Sequence, residues 1–261
     1  MGEWRWLAFQ TTRQKRIDLD RIAVISDVHG NIWALQAVLD DVRRRGVEHI
    51  INLGDTVYGP LEPQATADSL IPLDVYSIQG NEDRILAGDP ASSPTLEYVL
   101  KNLTRHCREW FATHPAASVV EGELYLCHGT PRSDKTYLLE GMSVQGGFLN
   151  EPQVIQSELD VVSQPVILCG HSHVPRMVHL PDGRLIVNPG SVGLQAYTDD
   201  APVAHKMEVG SPHARYAVLA RARAGWTVEQ IALPYEWDKA ADAARRNGRP
   251  DWAAWLSSGR A

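Results

Sequence analysis

Residues 21–31, which read RIAVISDVHGN, decide the fold of this 261-residue chain. The run from Arg21 to Ser26 is short, mostly apolar and rich in β-branched side chains, which is typical of a strand covered on both faces. Asn31 is well placed to cap a helix over residues 32–45, where apolar side chains recur on one face, and Gly46 is suited to end it. A second apolar run follows at 49–53. The chain therefore opens β–α–β, which predicts a parallel sheet with crossover helices.

The later part of the chain changes this alternation. Residues 95–114 predict a single helix that Pro115 ends. Beyond it the apolar runs lie closer together, and Pro181-Asp182-Gly183 predicts a hairpin turn, so the second half is partly antiparallel. The further strand-like runs lie at 75–78, 118–120, 124–127, 166–169, 185–187, 216–219 and 227–233.

These patterns divide the chain into three parts. We predict a poorly ordered leader at 1–20, one domain at 21–235, and a helical extension at 236–261 packed on that domain. In the extension, Trp252 and Trp255 share a helix face. That face either covers the sheet or forms a subunit contact, which leaves a homo-oligomer open.

The composition narrows the classes of partner. The net charge is −7, so the basic stripe expected of a duplex nucleic-acid binder is missing. No apolar stretch approaches the ~20 residues that span a bilayer, so no membrane partner is expected. The chain has three widely spaced cysteines and no C-x-x-C motif. We interpret them as reduced thiols, which favours a cytoplasmic location.

Polar clusters follow five of the predicted strands, and each contains glycine. The carboxyl ends of strands converge at one edge of an α/β sheet, so these clusters are expected to form one site. Their Asp, His and Asn side chains are N and O donors suited to Mn, Fe, Zn, Ni or Co. The candidate metal ligands are Asp27, His29, Asp55, Asn81, His128, His171 and His173.

Each motif taken alone has an ordinary structural explanation, and only their joint order is specific. A Gly-Asp or Gly-Asn pair after a strand is most often a turn. Cys127 and Cys169 precede proposed ligands, and a packing role is favoured over a ligand role. Phosphate capture by a P-loop and a nucleophile-elbow serine are both excluded, because neither motif occurs. We interpret the remaining histidines as surface or packing residues, namely His49, His106, His114, His179, His205 and His213.

The ordered set of motifs resembles that of the calcineurin-like metallophosphoesterase superfamily. The resemblance runs from about residue 21 to 233 and is carried by D-x-H-G-N at 27–31, G-D at 54–55, G-N at 80–81, H-G at 128–129 and G-H-x-H at 170–173. The segments HGTPR at 128–132 and NPGSVG at 188–193 are most similar to those of the small bacterial and archaeal phosphodiesterase branch. The resemblance implies an α/β fold in which two mixed β-sheets pack as a sandwich flanked by helices.

The same resemblance implies two transition-metal ions, with manganese favoured and Fe, Zn, Ni or Co as alternatives. One ion takes Asp27, His29, Asp55 and His173, and the other takes Asp55, Asn81, His128 and His171, with Asp55 bridging. It also implies that a hydroxide bridging the two metals attacks phosphorus directly.

Two departures from the superfamily's protein phosphatases stand out. In this chain Glu82 stands where the phosphatase motif G-N-H-E has its histidine. The arginine of the phosphatase motif G-D-x-V-D-R-G has no counterpart here. Both departures argue against a protein phosphatase and against a dinucleoside tetraphosphatase. Glu82 is either a proton donor to the leaving oxygen or a solvated carboxylate. Arg132 is either a substrate phosphate contact or half of a surface ion pair.

The expected function is two-metal hydrolysis of small phosphate esters, nucleotide-like esters included, by a phosphodiesterase or phosphatase. We assign catalysis to Asp55, Asn81, Glu82 and His128, and substrate binding to Asn81 and Arg132. The alternatives are a nuclease and a metal-binding interaction scaffold. The complete ligand set favours an enzyme.

Overall fold

The structure is a computed structural model that describes residues 20–86, 93–143 and 146–261. The leader predicted at 1–20 lies, except for Asp20, outside the described residues. In chain order the elements are β1 (Arg21–Ile25), α1 (Ile32–Arg44), β2 (His49–Asn52), α2 (Pro63–Leu70), β3 (Tyr76–Ser77), α3 (Asn81–Leu86), α4 (Pro94–Asn102), α5 (Arg105–Ala112), β4 (Ala117–Val120), β5 (Leu124–Cys127), β6 (Glu140–Ser143), β7 (Gly146–Leu149), α6 (Pro152–Glu158), β8 (Val166–Leu168), β9 (Arg176–His179), β10 (Leu185–Asn188), β11 (Ala196–Asp199), β12 (His205–Glu208), β13 (Ala214–Ala222), β14 (Gly225–Leu233), α7 (Trp237–Arg246) and α8 (Pro250–Ser258).

Two five-stranded mixed sheets form the body of the molecule. The first has the order β14-β13-β1-β2-β3, in which β1, β2 and β3 run parallel and β13 is antiparallel to β1. The second has the order β4-β5-β8-β10-β9, in which β5, β8 and β10 run parallel. The predicted hairpin turn joins β9 to β10, with Gly183 at φ +88°. The β–α–β opening and the partly antiparallel second half are both confirmed.

The two sheets pack face to face around one apolar core. Ile22 and Val24 of β1 lie in the same buried cluster as Leu124 and Leu126 of β5. Because strand side chains alternate, the neighbouring residues point to the opposite face of each sheet. On these outer faces Ile25 of β1 packs with Leu35 of α1, and Ile167 of β8 packs with Ile155 of α6. This confirms the predicted sandwich of two mixed sheets flanked by helices.

The single helix predicted over residues 95–114 is wrong, because the chain breaks there into α4 and α5. Leu103 is extended, with φ −121° and ψ 124°. The Thr104 side chain caps the next helix by accepting a hydrogen bond from the Cys107 backbone N–H. The Thr104 N–H in turn donates to the Gln64 side chain at 2.8 Å. A threonine with local backbone partners starts a new helix more readily than it continues an old one.

The C-terminal segment forms α7 and α8, which lie against the sandwich. Buried alanines of α7 share an apolar cluster with Leu61, Leu194 and Trp252. Gly259 ends α8 in the left-handed conformation at φ +66°. Among the described residues, no helix is long and apolar enough to cross a bilayer.

Candidate metal centre

Six of the seven candidate ligands lie in loops that leave the carboxyl ends of β1, β2, β5 and β8, and Asn81 begins α3 just after β3. Backbone hydrogen bonds join these loops to one another. The Asp27 N–H donates to the Gly54 carbonyl at 3.0 Å, and the His29 N–H donates to the Asp55 carbonyl at 3.0 Å. In the second sheet the Gly170 N–H donates to the His128 carbonyl at 2.7 Å. Strand ends of both sheets are thereby fixed around one point.

Backbone strain is concentrated at this point. Six non-glycine residues of the described chain have positive φ, and one of them is Glu121, outside the site. A non-glycine residue in this region is uncommon and costs energy, so it persists only where the surroundings impose it. The other five are all candidate ligands, namely Asp27, His29, Asp55, His171 and His173.

Three of the ligands form a first group around the Asp27 carboxylate. Asp27 Oδ1 lies 3.4 Å from His173 Nε2 and 3.9 Å from His29 Nε2. All three side chains are buried, and their ligand atoms lie within 4.8 Å of one another. This distance range is suited to a single ion held between them.

A second group lies around the Asp55 carboxylate and contains His128 and His171, whose ligand atoms also lie within 4.8 Å of one another. Asp55 Oδ2 is 3.1 Å from His128 Nε2. His128 Nε2 is 3.9 Å from Asp27 Oδ1, so the two groups are neighbours. These two neighbouring groups contain six of the seven candidate ligands, all except Asn81.

Hydrogen bonds to backbone carbonyls orient the imidazoles. The Nδ1 atoms of His29, His128 and His173 lie 2.9, 2.8 and 2.6 Å from the backbone oxygens of Tyr58, Leu53 and Leu194, respectively. An Nδ1–H that donates to a carbonyl leaves Nε2 with a free lone pair, which is the arrangement of metal-binding histidines.

The Nε2 atoms that these hydrogen bonds leave free are suited to bind a cation. His29 Nε2 and His173 Nε2 are 3.0 Å apart. Two neutral imidazoles that both carry their proton on Nδ1 cannot hydrogen bond through Nε2, whereas a proton or a metal ion shared between the two nitrogens makes this contact favourable. Buried side-chain atoms without a hydrogen-bond partner include Asp27 Oδ1, Asn81 Oδ1 and His128 Nε2. Buried polar atoms are seldom left unsatisfied, and metal coordination would satisfy all three.

The electrostatics favour positive charge at this position. Burial lowers the pKa of the His128 imidazole, but the nearby carboxylates of Asp55 and Asp27 raise it by more. The resulting pKa is about 10. For His171, burial and the neighbouring His128 lower the pKa to about 4. The carboxylates therefore stabilise added charge, while His171 stays a neutral ligand at pH 7.

Close packing of glycine against the ligands explains why the motifs contain it. A Cβ atom on Gly80 would lie 2.0 Å from Asp55 Oδ1. One on Gly170 would lie 2.1 Å from Ser26 Oγ and 3.0 Å from Asp27 Oδ2. A side chain at either position would displace a ligand carboxylate.

Glu82 contacts His29. Its Oε2 atom is 3.1 Å from His29 Nδ1, which also bonds the Tyr58 carbonyl, and its backbone N–H donates to Asp55 Oδ1 at 2.9 Å. Burial, followed by the charge of Asp55, raises the pKa of Glu82 to about 7. The Glu82 carboxylate thus lies within ion-pair distance of a ligand imidazole. Proton donation by Glu82 stays a prediction.

Asp83, which the sequence reasoning missed, organises the loops below the ligands. Its carboxylate accepts backbone N–H groups of Asp55 at 2.7 Å, Thr56 at 3.0 Å and Gly80 at 3.1 Å, and the residue is 1% exposed. Burial raises its pKa to about 6. The only sequence signal was an acidic residue two positions after Asn81.

Arg132 is not brought to the ligand cluster. Its guanidinium pairs with Asp160 and donates to the carbonyls of Ser157 and Glu158. The contact between Arg132 and a substrate phosphate stays a prediction. The placement of the guanidinium away from the ligand cluster does not favour it. Cys127 and Cys169 are buried free thiols in the apolar core beside the ligands. Burial raises the pKa of Cys127 to about 12, which disfavours the thiolate that a metal requires.

A cleft of about 420 Å³ opens from the cluster. The aromatic residues Tyr58 and Tyr197 line it, and its wall also contains Trp252 and Trp255 of α8 and Arg249, the residue just before α8. The two tryptophans were expected on a sheet-covering face or a subunit contact, and the structure places them beside the candidate site. A contribution from the chain's last helix had no motif to reveal it.

Comparison with known proteins identifies the family. The sequence profile of the calcineurin-like phosphoesterase superfamily domain matches residues 21–208. The chain belongs to the calcineurin-like phosphoesterase superfamily. Metal-dependent phosphoester hydrolysis is the chemistry of this superfamily, and the candidate ligand groups fit it.

Relatives of this calcineurin-like phosphoesterase come from bacteria and archaea. An uncharacterised protein of Methanocaldococcus jannaschii is 25% identical over 248 residues, covering 88% of this chain and 94% of its own. A metallophosphoesterase from Sphaerobacter thermophilus is 24% identical, with a TM-score of 0.71 over 92% of this chain and 98% of its own. A hypothetical protein from Pyrococcus horikoshii is 18% identical, with the same TM-score and coverage. The two structures show that the fold extends over the C-terminal half of the chain as well.

Proposed function

We propose that this chain hydrolyses small phosphate esters with two metal ions. The observation that carries the proposal is the pair of adjacent ligand groups around Asp27 and Asp55. One ion would be held by Asp27, His29, Asp55 and His173, and the other by Asp55, Asn81, His128 and His171. When bound, two such ions lower the pKa of a water and polarise a phosphoryl group.

The chain's own residues hold this chemistry in place. Asp55 belongs both to the group with His128 and His171 and to a group with His29 and Glu82, so its carboxylate is placed to be shared. Backbone carbonyls keep the ligand imidazoles in one tautomer, and burial excludes bulk water from the ligand atoms.

We propose that Glu82 does not serve as an efficient acid and that the reaction depends on the leaving group. Its Oε2 lies 3.1 Å from His29 Nδ1, so a proton held there is shared with a ligand imidazole. Aryl diesters should then react faster than alkyl monoesters. Equal rates on both would contradict this part of the proposal.

Metal identity and cellular setting complete the proposal. Nitrogen and oxygen donors suit manganese, with Fe, Zn, Ni or Co as alternatives. The three cysteines are free and buried, which is consistent with a cytoplasmic protein. The net charge of −7 and the absence of a basic stripe disfavour a nuclease.

The test is hydrolysis of bis-p-nitrophenyl phosphate with added Mn²⁺. We expect metal-dependent turnover by the wild type and a loss of at least about 100-fold in Asp55→Asn, because the variant loses a proposed metal ligand and even the partners of metal ligands change activity by about 10–100-fold. Asp160→Asn, which removes an exposed carboxylate paired with Arg132, is the matched control and should retain full activity. Wild-type protein without Mn²⁺-dependent turnover would instead support the scaffold alternative.

A further inference from the structure

The C-terminal helices bring three side chains to the cleft beside the ligand cluster: Arg249, Trp252 and Trp255. These residues lie outside the matched family domain, which ends at residue 208. They therefore lie beyond the ligand motifs of the family, on the C-terminal helical segment. A ligand whose phosphorus lies at the metal groups extends either along these three side chains or in the opposite direction.

Trp252 connects the extension directly to the ligands. Its ring centroid is 5.8 Å from that of His29 in an edge-to-face arrangement, and the residue is 5% exposed. The Trp255 ring follows at 6.2 Å from Trp252 and is half-buried. An indole face left partly open in a cleft is suited to stack on a planar ring.

Arg249 is held rigidly at the same wall. Its Nε donates to Asp251 Oδ1 at 2.9 Å, its Nη2 donates to Asp251 Oδ2 at 2.7 Å, and its Nη1 donates to Thr95 Oγ1. A guanidinium has five N–H donors, so two have no partner among the described residues. Its Cζ lies 5.5 Å from the Trp252 ring. The arginine is thus fixed beside the aromatic surface with donors to spare.

We infer that Trp252, Trp255 and Arg249 form a subsite for a planar aromatic ester group that carries a hydrogen-bond acceptor, such as an aryl or nucleobase group. This inference rests on the proposed function, because it places the phosphorus of the ligand at the metal groups. The stacking surface selects the flat ring, and the free donors of Arg249 select its acceptor. The cleft volume of about 420 Å³ lies within the range of small-molecule sites.

The test uses phosphonates, which carry one substituent and are not hydrolysed. Calorimetry on the Mn²⁺-loaded protein compares phenylphosphonate with methylphosphonate, so that only the ring differs. We expect the phenyl compound to bind about 5-fold tighter or better, the factor that corresponds to one stacked ring. Trp255→Ala should abolish this preference and leave the methylphosphonate affinity unchanged.

A second tryptophan serves as the control. Trp226 on β14 is also half-buried and contacts a cation, with Arg221 at 4.6 Å from its ring, but it does not line the cleft. Trp226→Ala should keep the phenyl preference. A preference that survives Trp255→Ala, or that is missing in the wild type, would overturn the subsite.

The arginine is tested with carboxyphenylphosphonates, whose carboxylate provides the acceptor. The wild type should bind the 3- or the 4-isomer tighter than phenylphosphonate, and Arg249→Gln should lose that gain while keeping its phenylphosphonate affinity. Arg221→Gln is the control, because Arg221 lies beside Trp226 and outside the cleft. A gain that survives Arg249→Gln would remove Arg249 from the subsite.

Different results would refute the proposed metal site and the proposed aromatic subsite. If neither phosphonate binds in a Mn²⁺-dependent way, the proposed metal site is wrong and the subsite falls with it. If both bind with Mn²⁺ and equally well, the metal site stands and only the aromatic subsite is refuted.

Discussion

Replacing Asp83 with asparagine should weaken the site without removing a ligand. The Asp83 carboxylate accepts three backbone N–H groups, one of them from Asp55 and one from Gly80, at 2.7 to 3.1 Å. An asparagine side chain turns one oxygen into an NH₂ group, which faces an N–H donor and cannot accept from it. The variant therefore loses at least one charge-assisted hydrogen bond and weakens the others.

The magnitude follows from these bonds and from the burial of the group. A hydrogen bond to a charged group contributes about 1.5–3 kcal/mol, and part of this is offset by burial, which raises the pKa of Asp83 to about 6. We expect the free energy of unfolding to fall by about 2 kcal/mol. Partners that orient metal ligands typically change metal affinity by about 10–100-fold, and we expect Mn²⁺ affinity to fall by that factor.

The assay is calorimetric titration of metal-free protein with Mn²⁺, together with urea denaturation. Asp134→Asn is a matched control, since Asp134 pairs with Arg84 in an ion pair that is partly exposed on both sides. It should change stability by less than about 1 kcal/mol and leave Mn²⁺ affinity unchanged. Wild-type Mn²⁺ affinity in Asp83→Asn would refute the idea that this carboxylate positions the ligand loops.

Two further predictions concern a glycine and a buried carboxylate. Gly80→Ala should lose most Mn²⁺ binding in titration, because its Cβ would lie 2.0 Å from Asp55 Oδ1; unchanged binding would mean that the loop relaxes freely. Burial raises the pKa of Asp41, but hydrogen bonds from Tyr216 and Arg45 lower it more, so the folded pKa is below its ordinary value. This stabilises the fold above the unfolded pKa of about 3.9 and is lost as the pH falls through the folded value. Asp41→Asn should therefore cost about 2 kcal/mol at pH 7 and progressively less as the pH falls below the unfolded pKa in denaturant unfolding, and a pH-independent difference would contradict the assignment.

The ligand set was predictable because its information is local. Each of the seven residues stands just after a strand-like run, and the ends of parallel strands converge by geometry alone. The sequence therefore predicted which side chains meet at the end of β1 and β2. The alternation of apolar runs and one helical period predicted the β–α–β opening, whereas the sandwich of two sheets was implied by the family resemblance.

What the sequence did not predict depends on contacts between distant segments. The break between α4 and α5 is stabilised by Gln64, which lies 40 residues before its partner Thr104. The Asp83 carboxylate accepts three N–H groups, and two of them belong to Asp55 and Thr56, which lie 28 and 27 residues earlier in the chain. The arrival of Trp255 at the cleft depends on how the last helix docks, and no periodicity within that helix specifies its neighbour.

The most direct test of the central claim is the number of ions bound per chain. Metal-free protein is titrated with Mn²⁺ by calorimetry, and the bound metal is counted by elemental analysis after dialysis. The account predicts two ions per wild-type chain and fewer than two in Asp55→Asn, because that carboxylate belongs both to the group with His128 and His171 and to a group with His29 and Glu82. A single ion in the wild type, or an unchanged count in Asp55→Asn, would contradict it.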